Sequence, residues 1–163
     1  LKHIKSKDSN SSCLFMLSGS VFSTKVDFRK INDRIIINVI NKNLDNNFKQ
    51  NNVNFYTKVK NNIELINNAQ FAVINAGFSA ISELFYLKKP MIIMPIANHA
   101  EQWTNAKHVE ENNIGIIANE NNYEKKMFDI IENIDFYKEN YQKIILNNDG
   151  ASDSAEIILT FNK

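Results

Sequence analysis

Phe71-Ala72-Val73-Ile74-Asn75-Ala76-Gly77-Phe78-Ser79-Ala80-Ile81-Ser82-Glu83-Leu84-Phe85-Tyr86-Leu87 runs from an unbroken apolar stretch, through a turn holding one glycine, into a segment of helical periodicity. It reads as a strand buried on both faces, a tight turn, and a helix that starts beyond the strand end. The first N–H groups of a helix lack intrahelical partners and sit at the positive end of its dipole, which suits a phosphate or a carboxylate. Nucleotide binding is therefore the first expectation. Gly77 is read either as a turn glycine at positive φ or as a point of close ligand approach, and the two are compatible. On a helical wheel Ala80, Ile81, Leu84 and Phe85 gather on one side and Ser79, Ser82, Glu83 and Tyr86 on the other. Glu83 either complements the helix dipole or accepts hydrogen bonds from a ribose diol.

Working outward, short apolar runs alternate with helical segments, as in parallel strands linked by helices. Strands are predicted at 14–17, 34–40, 53–56, 71–74, 91–94 and 114–118, and helices at 60–67, 79–87, 99–112, 123–134, 136–146 and 152–160. Lys89-Pro90 ends the second of these helices, and Ser152 or Asp153 caps the last. The segment 21–33 is short for a crossover helix. The fold class is α/β, a Rossmann-like open parallel sheet flanked by helices, expected as one domain over residues 1–163. Ligands of such sheets bind beyond the C-terminal strand ends, at a topological switch point. Three turns fall there: Ser18-Gly19-Ser20, the 75–79 turn, and Pro95-Ile96-Ala97-Asn98-His99.

The last of these leads into Glu101, Gln102, Trp103 and Asn105. Carboxylate and amide groups at a helix start could bond sugar hydroxyls, or could form a solvated first turn capped by Asn98. Trp103, Ala106 and Val109 are spaced to form a buried edge. His99 and His108 stand on opposite sides of that helix and His3 lies in the lead-in, so no metal site is expected. No Ser-His-Asp or Cys-His set is in motif-like context. The turn at Gly19 lacks the spaced glycines of a dinucleotide loop, which disfavours NAD and FAD.

The composition, 44% hydrophobic and 23% charged, is that of an ordinary globular protein. Asn supplies about one residue in six, interspersed among periodic apolar positions, a bias in coding composition rather than a prion-like tract. With a net charge of +1 and scattered lysines, the chain has no basic stripe for nucleic acid. Cys13 lies in the run Cys13-Leu14-Phe15-Met16-Leu17 and reads as a buried thiol in a reducing compartment. No apolar run approaches the roughly 20 residues of a membrane span, so a cytoplasmic location is expected, peripheral to a membrane at most. The first residue is Leu1, so a longer polypeptide is also expected.

Asn75-Ala76-Gly77-Phe78-Ser79-Ala80-Ile81-Ser82-Glu83, then Lys88-Lys89-Pro90, Met91 to Pro95, Glu101-Gln102-Trp103-Thr104-Asn105-Ala106 and Asn113-Ile114-Gly115, resembles the C-terminal donor-binding half of GT-B glycosyltransferases, of the family 28 and UDP-glycosyltransferase type. The resemblance is specific from about Asn67 to Gly115 and follows the order of elements elsewhere. It implies a UDP-sugar as substrate, with no cofactor and no metal. Backbone at Gly77, Phe78, Ser79 and Ala80 would hold the diphosphate and Glu83 the ribose. Glu101, Gln102 and Asn105 would face the donor sugar, with Gly19, Ser20 and Asn75 lining the cleft. Many members carry a His and paired glycines where this chain has Asn75, Ala76 and Gly77. The family binds its acceptor, and usually carries its catalytic base, in an N-terminal domain. This chain is therefore expected to be completed by such a domain or by a partner subunit. The rival expectations are a sugar-nucleotide epimerase or hydrolase on the same fold, and a non-catalytic docking module.

Overall fold

The computed structural model describes residues 11–17, 26–41, 44–57, 59–144 and 157–160. Seven strands form one sheet: β1 (Ser11–Met16), β2 (Ile35–Ile40), β3 (Phe48–Gln50), β4 (Val53–Tyr56), β5 (Phe71–Ile74), β6 (Met91–Ile93) and β7 (Gly115–Ile117). Their order is β3-β4-β2-β1-β5-β6-β7, all parallel except the edge strand β3. With β3 set aside, this is the doubly wound order, and its direction reverses between β1 and β5. Those two strands pair in register from Cys13 with Phe71 to Met16 with Ile74.

Alternation along the strands divides the core into two layers. Cys13 and Phe15 of β1, Ile37 and Val39 of β2, Phe71 and Val73 of β5 and Ile92 of β6 face one side. There they meet Tyr123, Met127 and Ile130 of α4 (Tyr123–Glu132). Leu14, Ala72, Ile74, Met91 and Ile93 face the other side. That layer is covered by Ile66 of α1 (Ile63–Asn68), Leu84 of α2 (Phe78–Tyr86), Ala106 and Val109 of α3 (Ala100–Glu111) and Tyr141 of α5 (Ile134–Lys143). The four residues of β5 are buried on both faces, which is why they form an apolar run without alternation. Burial pushes the Cys13 thiol well up, so it stays protonated and serves as a small core hydrophobe.

Several boundaries differ from the sequence expectations. β1 begins at Ser11, because Ser11 and Ser12 pair with Ile35 and Ile36 of β2. β3 was not expected, since Phe48, Lys49 and Gln50 are all exposed on an edge strand and carry no apolar pattern. Within 21–33 the described residues hold a 3₁₀ turn, Phe28–Lys30, anchored to α4 by the Tyr123 hydroxyl, which donates to the Asp27 carbonyl at 3.0 Å. Residues 157–160 are helical, and the expected start of that last helix lies outside the described residues.

α2 ends in a reciprocal backbone motif: Lys88 N–H donates to Phe85 O at 3.0 Å and Lys89 N–H to Leu84 O at 2.9 Å, with Lys88 left-handed at φ 51°. The Lys89 ammonium reaches back to the carbonyls of Asn67 and Ala69, each at 2.8 Å, at the C-terminus of α1. Desolvation, and then Lys138, lower its pKa. Asn113 ends α3 in the same way, at φ 54°.

Gly115 opens β7 where α3 crosses close to β6. A Cβ there would fall on the Met91 carbonyl and lie 2.7 Å from Val109 Cγ1 and 2.8 Å from Met91 Cγ. Gly115→Ala should cost about 1–3 kcal/mol through overpacking, read as a lower urea midpoint at unchanged slope.

Candidate functional site

The reversal of strand order between β1 and β5 leaves a crevice at their C-terminal ends, where no crossover helix can cover both. The end of β5 delivers Asn75, Ala76 and Gly77 to it, and α2 starts at Phe78. Gly77 N–H donates to Asn75 O at 2.5 Å, which makes the turn tight. The first bond reaching into the helix is from Ile81 N–H to Gly77 O at 3.1 Å, and no side chain caps the N-terminus. The amides of Phe78, Ser79 and Ala80 therefore point out of the helix end, with the positive end of the dipole behind them. Phe78 and Ser79 are exposed and Ala80 is half-buried.

Gly77 has φ −72° and ψ 135°, ordinary extended backbone, so the expectation of a positive φ is not met. A Cβ at this position would meet only Asn75 O, at 3.9 Å. Neither the local conformation nor the packing of the protein demands a glycine there. The lack of a side chain leaves the helix N-terminus open to close approach from outside.

Glu83 lies one and a half turns further on, half-buried, on the same side of α2 as Ser79, as the wheel predicts. Its carboxylate meets no cation and no donor among the described residues. Leu84 is buried, and Ala80, Ile81 and Phe85 pack against the same core, while Ser82 and Tyr86 are exposed.

The amides around the site hold backbone. Asn75, 5% exposed, donates through Nδ2 to Met94 O at 2.9 Å, tying the end of β5 to the end of β6. Asn105 donates through Nδ2 to Ala76 O at 3.0 Å, tying α3 to the turn before α2. Gln102, 8% exposed, accepts through Oε1 from Ile96 N–H at 2.9 Å and closes the turn before α3. Of the three residues expected to face the donor sugar, Glu101 alone is exposed. The structure brings Asn75, Gly77, Phe78, Ser79, Ala80 and Asn105 together at the mouth of the crevice, while Gly19 and Ser20 lie outside the described residues. Asn98 does not cap α3: it is left-handed at φ 62°, the cap position is His99, and no side chain bonds that helix end. Trp103 does not join Ala106 and Val109 in the core, being 42% exposed.

Trp103 instead lines a groove of about 780 Å³ with Pro95, Asn98, His99, Glu120 and Asn121, at the C-terminal ends of β6 and β7. A second cleft of about 760 Å³, between the 3₁₀ turn and the β3–β4 hairpin, lies toward the N-terminal ends of β2 and β4. Among the described residues no three His, Cys, Asp or Glu side chains gather as a metal ion would need, and no helix is long and apolar enough to cross a membrane.

A doubly wound sheet with an uncapped helix N-terminus at its switch point is a Rossmann-like architecture, of the kind found in GT-B glycosyltransferases. The model of Glycosyl transferase family 1 matches residues 4–134, and the chain belongs to that family. It is 30% identical over 87 residues to the UDP-N-acetylglucosamine--N-acetylmuramyl-(pentapeptide) pyrophosphoryl-undecaprenol N-acetylglucosamine transferase of Clostridium tetani (strain Massachusetts / E88), a match covering 52% of this chain and 24% of that enzyme. Its fold is similar to that of a glycotransferase of kitacinnamycin, with a TM-score of 0.58, 14% identity, and coverage of 82% of this chain and 39% of that one. The spinosyn forosaminyltransferase SpnP gives a TM-score of 0.53 at 13% identity, over 66% of this chain and 28% of its own. The chain thus spans well under half the length of each of these proteins.

Asn75→Ala and Asn105→Ala each leave a carbonyl without its donor, and should lower stability by about 1–3 kcal/mol in the ligand-free protein. Urea denaturation checks this, and an unchanged midpoint in both would show that these two bonds add nothing to stability.

Proposed function

We propose that this chain is the donor-binding half of a glycosyltransferase that moves a hexose or N-acetylhexosamine from a UDP-sugar to an acceptor hydroxyl. Family membership supports the transferase class. The UDP-sugar named for the Clostridium tetani relative supports a UDP-linked donor. The observation that carries the reading is the open end of α2: three outward amides, no side-chain cap, and a glycine before them that the fold itself does not require.

In this reading the diphosphate lies against the amides of Phe78, Ser79 and Ala80, and Glu83 accepts hydrogen bonds from the ribose hydroxyls. The acceptor oxygen attacks the anomeric carbon while the bond from that carbon to the UDP oxygen breaks. The electron pair stays on the β-phosphate, and the hydroxyl proton passes to a base. The helix end stabilises the charge that builds on the departing UDP, a term that grows toward the transition state and so accelerates transfer. No cofactor or metal is invoked. The base and the acceptor site belong to a further N-terminal domain or a partner subunit, which positions the hydroxyl in line with the anomeric carbon. Glu101 faces the donor sugar, and Asn75, Gln102 and Asn105 set the walls around it.

Calorimetric titration with UDP and UDP-N-acetylglucosamine tests the donor site. Glu83→Ala should lose about 1.5–3 kcal/mol of binding, roughly 10- to 150-fold in Kd. If the mutant binds as tightly as the native chain, Glu83 is not the ribose contact. If the folded native chain binds neither nucleotide, the donor-site reading fails for the chain by itself.

Gly77→Ala separates ligand approach from folding. Its conformation suits alanine, so stability should hold or rise by about 0.4–1 kcal/mol, while UDP affinity falls because the new methyl stands before the helix end. Loss of stability together with affinity would return Gly77 to a purely structural role.

A further inference from the structure

Along α3 the residues sort by flank. Gln102, Ala106 and Val109 are buried against the sheet. Asn105 lies on the side facing α2, as its bond to Ala76 O shows, and the helical repeat puts Glu101 on that same side. Trp103 falls on the other flank, toward the turn that follows β7, where it shares the groove with Asn119, Glu120 and Asn121. α3 therefore has the proposed donor site on one flank and this groove on the other.

The second has a definite chemistry. An indole 42% exposed inside a groove offers a flat apolar face. Around it stand His99 and the side-chain amides of Asn98 and Asn121, both exposed and neither hydrogen-bonded among the described residues. The walls are firm. His99 N–H donates to Ile96 O at 3.2 Å, Asn119 N–H to Asn122 Oδ1 at 2.7 Å, and Asn121 N–H to Asn119 Oδ1 at 2.9 Å. A flat apolar platform ringed by amide and imidazole groups, with the Glu120 carboxylate as a further acceptor, matches a pyranose, which has an apolar C–H face and a girdle of hydroxyls. The groove wall also connects to the donor site, because Met94, which lines it, accepts the Asn75 Nδ2 bond at 2.9 Å.

We propose that the Trp103 groove is a second saccharide subsite, on the far flank of α3 from the nucleotide, which stacks one pyranose of a sugar other than the one carried by UDP. Trp103 is the platform, and Asn98, His99 and Asn121 bond the ring hydroxyls. The proposal takes only its choice of ligand from the glycosyl-transfer reading, and the two fail separately, since free saccharide reports on the groove and UDP on the helix end.

Trp103 is the single tryptophan of the chain, so its emission reports on the groove directly. Titration of the full chain with N-acetylglucosamine, glucose, galactose and their β-linked disaccharides should give a saturable change with a millimolar midpoint for at least one of them. That midpoint should persist with UDP at saturation. Trp103→Ala should abolish saccharide binding by calorimetry and leave UDP affinity within about twofold. Asn121→Ala, which keeps the fluorophore, should weaken the saccharide several-fold. The proposal is overturned if no saccharide gives a saturable change. It is equally overturned if UDP competes the change away, since the sugar then sits in the donor site, or if Asn121→Ala binds saccharide as the native chain does.

Discussion

The pairing of β1 with β5 is the constraint on which the rest of the structure depends. The chain leaves β1 toward β2 and β4 on one side of the sheet and must return across it to β5 before adding β6 and β7. Both strands are deeply buried, so their backbone polar groups have to be satisfied within the ladder, and the register from Cys13 and Phe71 to Met16 and Ile74 does this. The crevice follows as a geometrical by-product of that reversal. What the particular sequence adds is an uncapped helix at its edge and a glycine ahead of it.

Around that crevice the side-chain amides act as ties to backbone, two of them between segments well separated in sequence. Asn75 joins β5 to β6, Asn105 joins α3 to the turn before α2, and Gln102 closes the turn that leads into α3. Each buried or half-buried carbonyl or N–H served in this way would otherwise cost about 1–3 kcal/mol. The ends of neighbouring strands are thus fixed relative to one another, and so are the surfaces on both flanks of α3. Rigid placement matters for a site whose donors must already point at the ligand before it arrives.

The sheet was legible in the sequence in part because a strand buried on both faces leaves a continuous apolar run, as at 71–74, and 53–56 also falls where predicted although Asn54 interrupts it. β3 was not legible, because an exposed three-residue edge strand is stabilised by its partner β4 and not by its own pattern. The division of α2 into a core-facing and an open face was legible from the wheel, since Leu84 is buried and Ser79 and Ser82 are not. The duties of Asn75, Gln102 and Asn105 were not, because their partners are backbone groups 6 to 29 residues away and amides leave no periodic trace. Trp103 was misplaced because a spacing of three from Ala106 puts it at the margin of the buried stripe, where a large side chain can lean either way. Gly77 lacks the positive φ expected of it, and among the described residues positive φ occurs at Asn51, Lys88, Asn98 and Asn113, none of them glycine.

Lys88 shows what this means for α2, the helix with the open N-terminus. It has neither the missing Cβ of glycine nor the short amide of asparagine, yet it closes α2 in the left-handed region, at a cost on the order of 1 kcal/mol. The stop is enforced from outside the helix. Lys89 is anchored on α1, the Tyr141 hydroxyl of α5 bonds the Lys89 carbonyl, and Pro90 follows. A helix of nine residues is in any case too short to persist alone in water. The open end of α2 therefore has no existence as a peptide: it comes into being with the assembled sheet, and grafting the sequence 75–87 onto another scaffold would carry over the residues without that geometry.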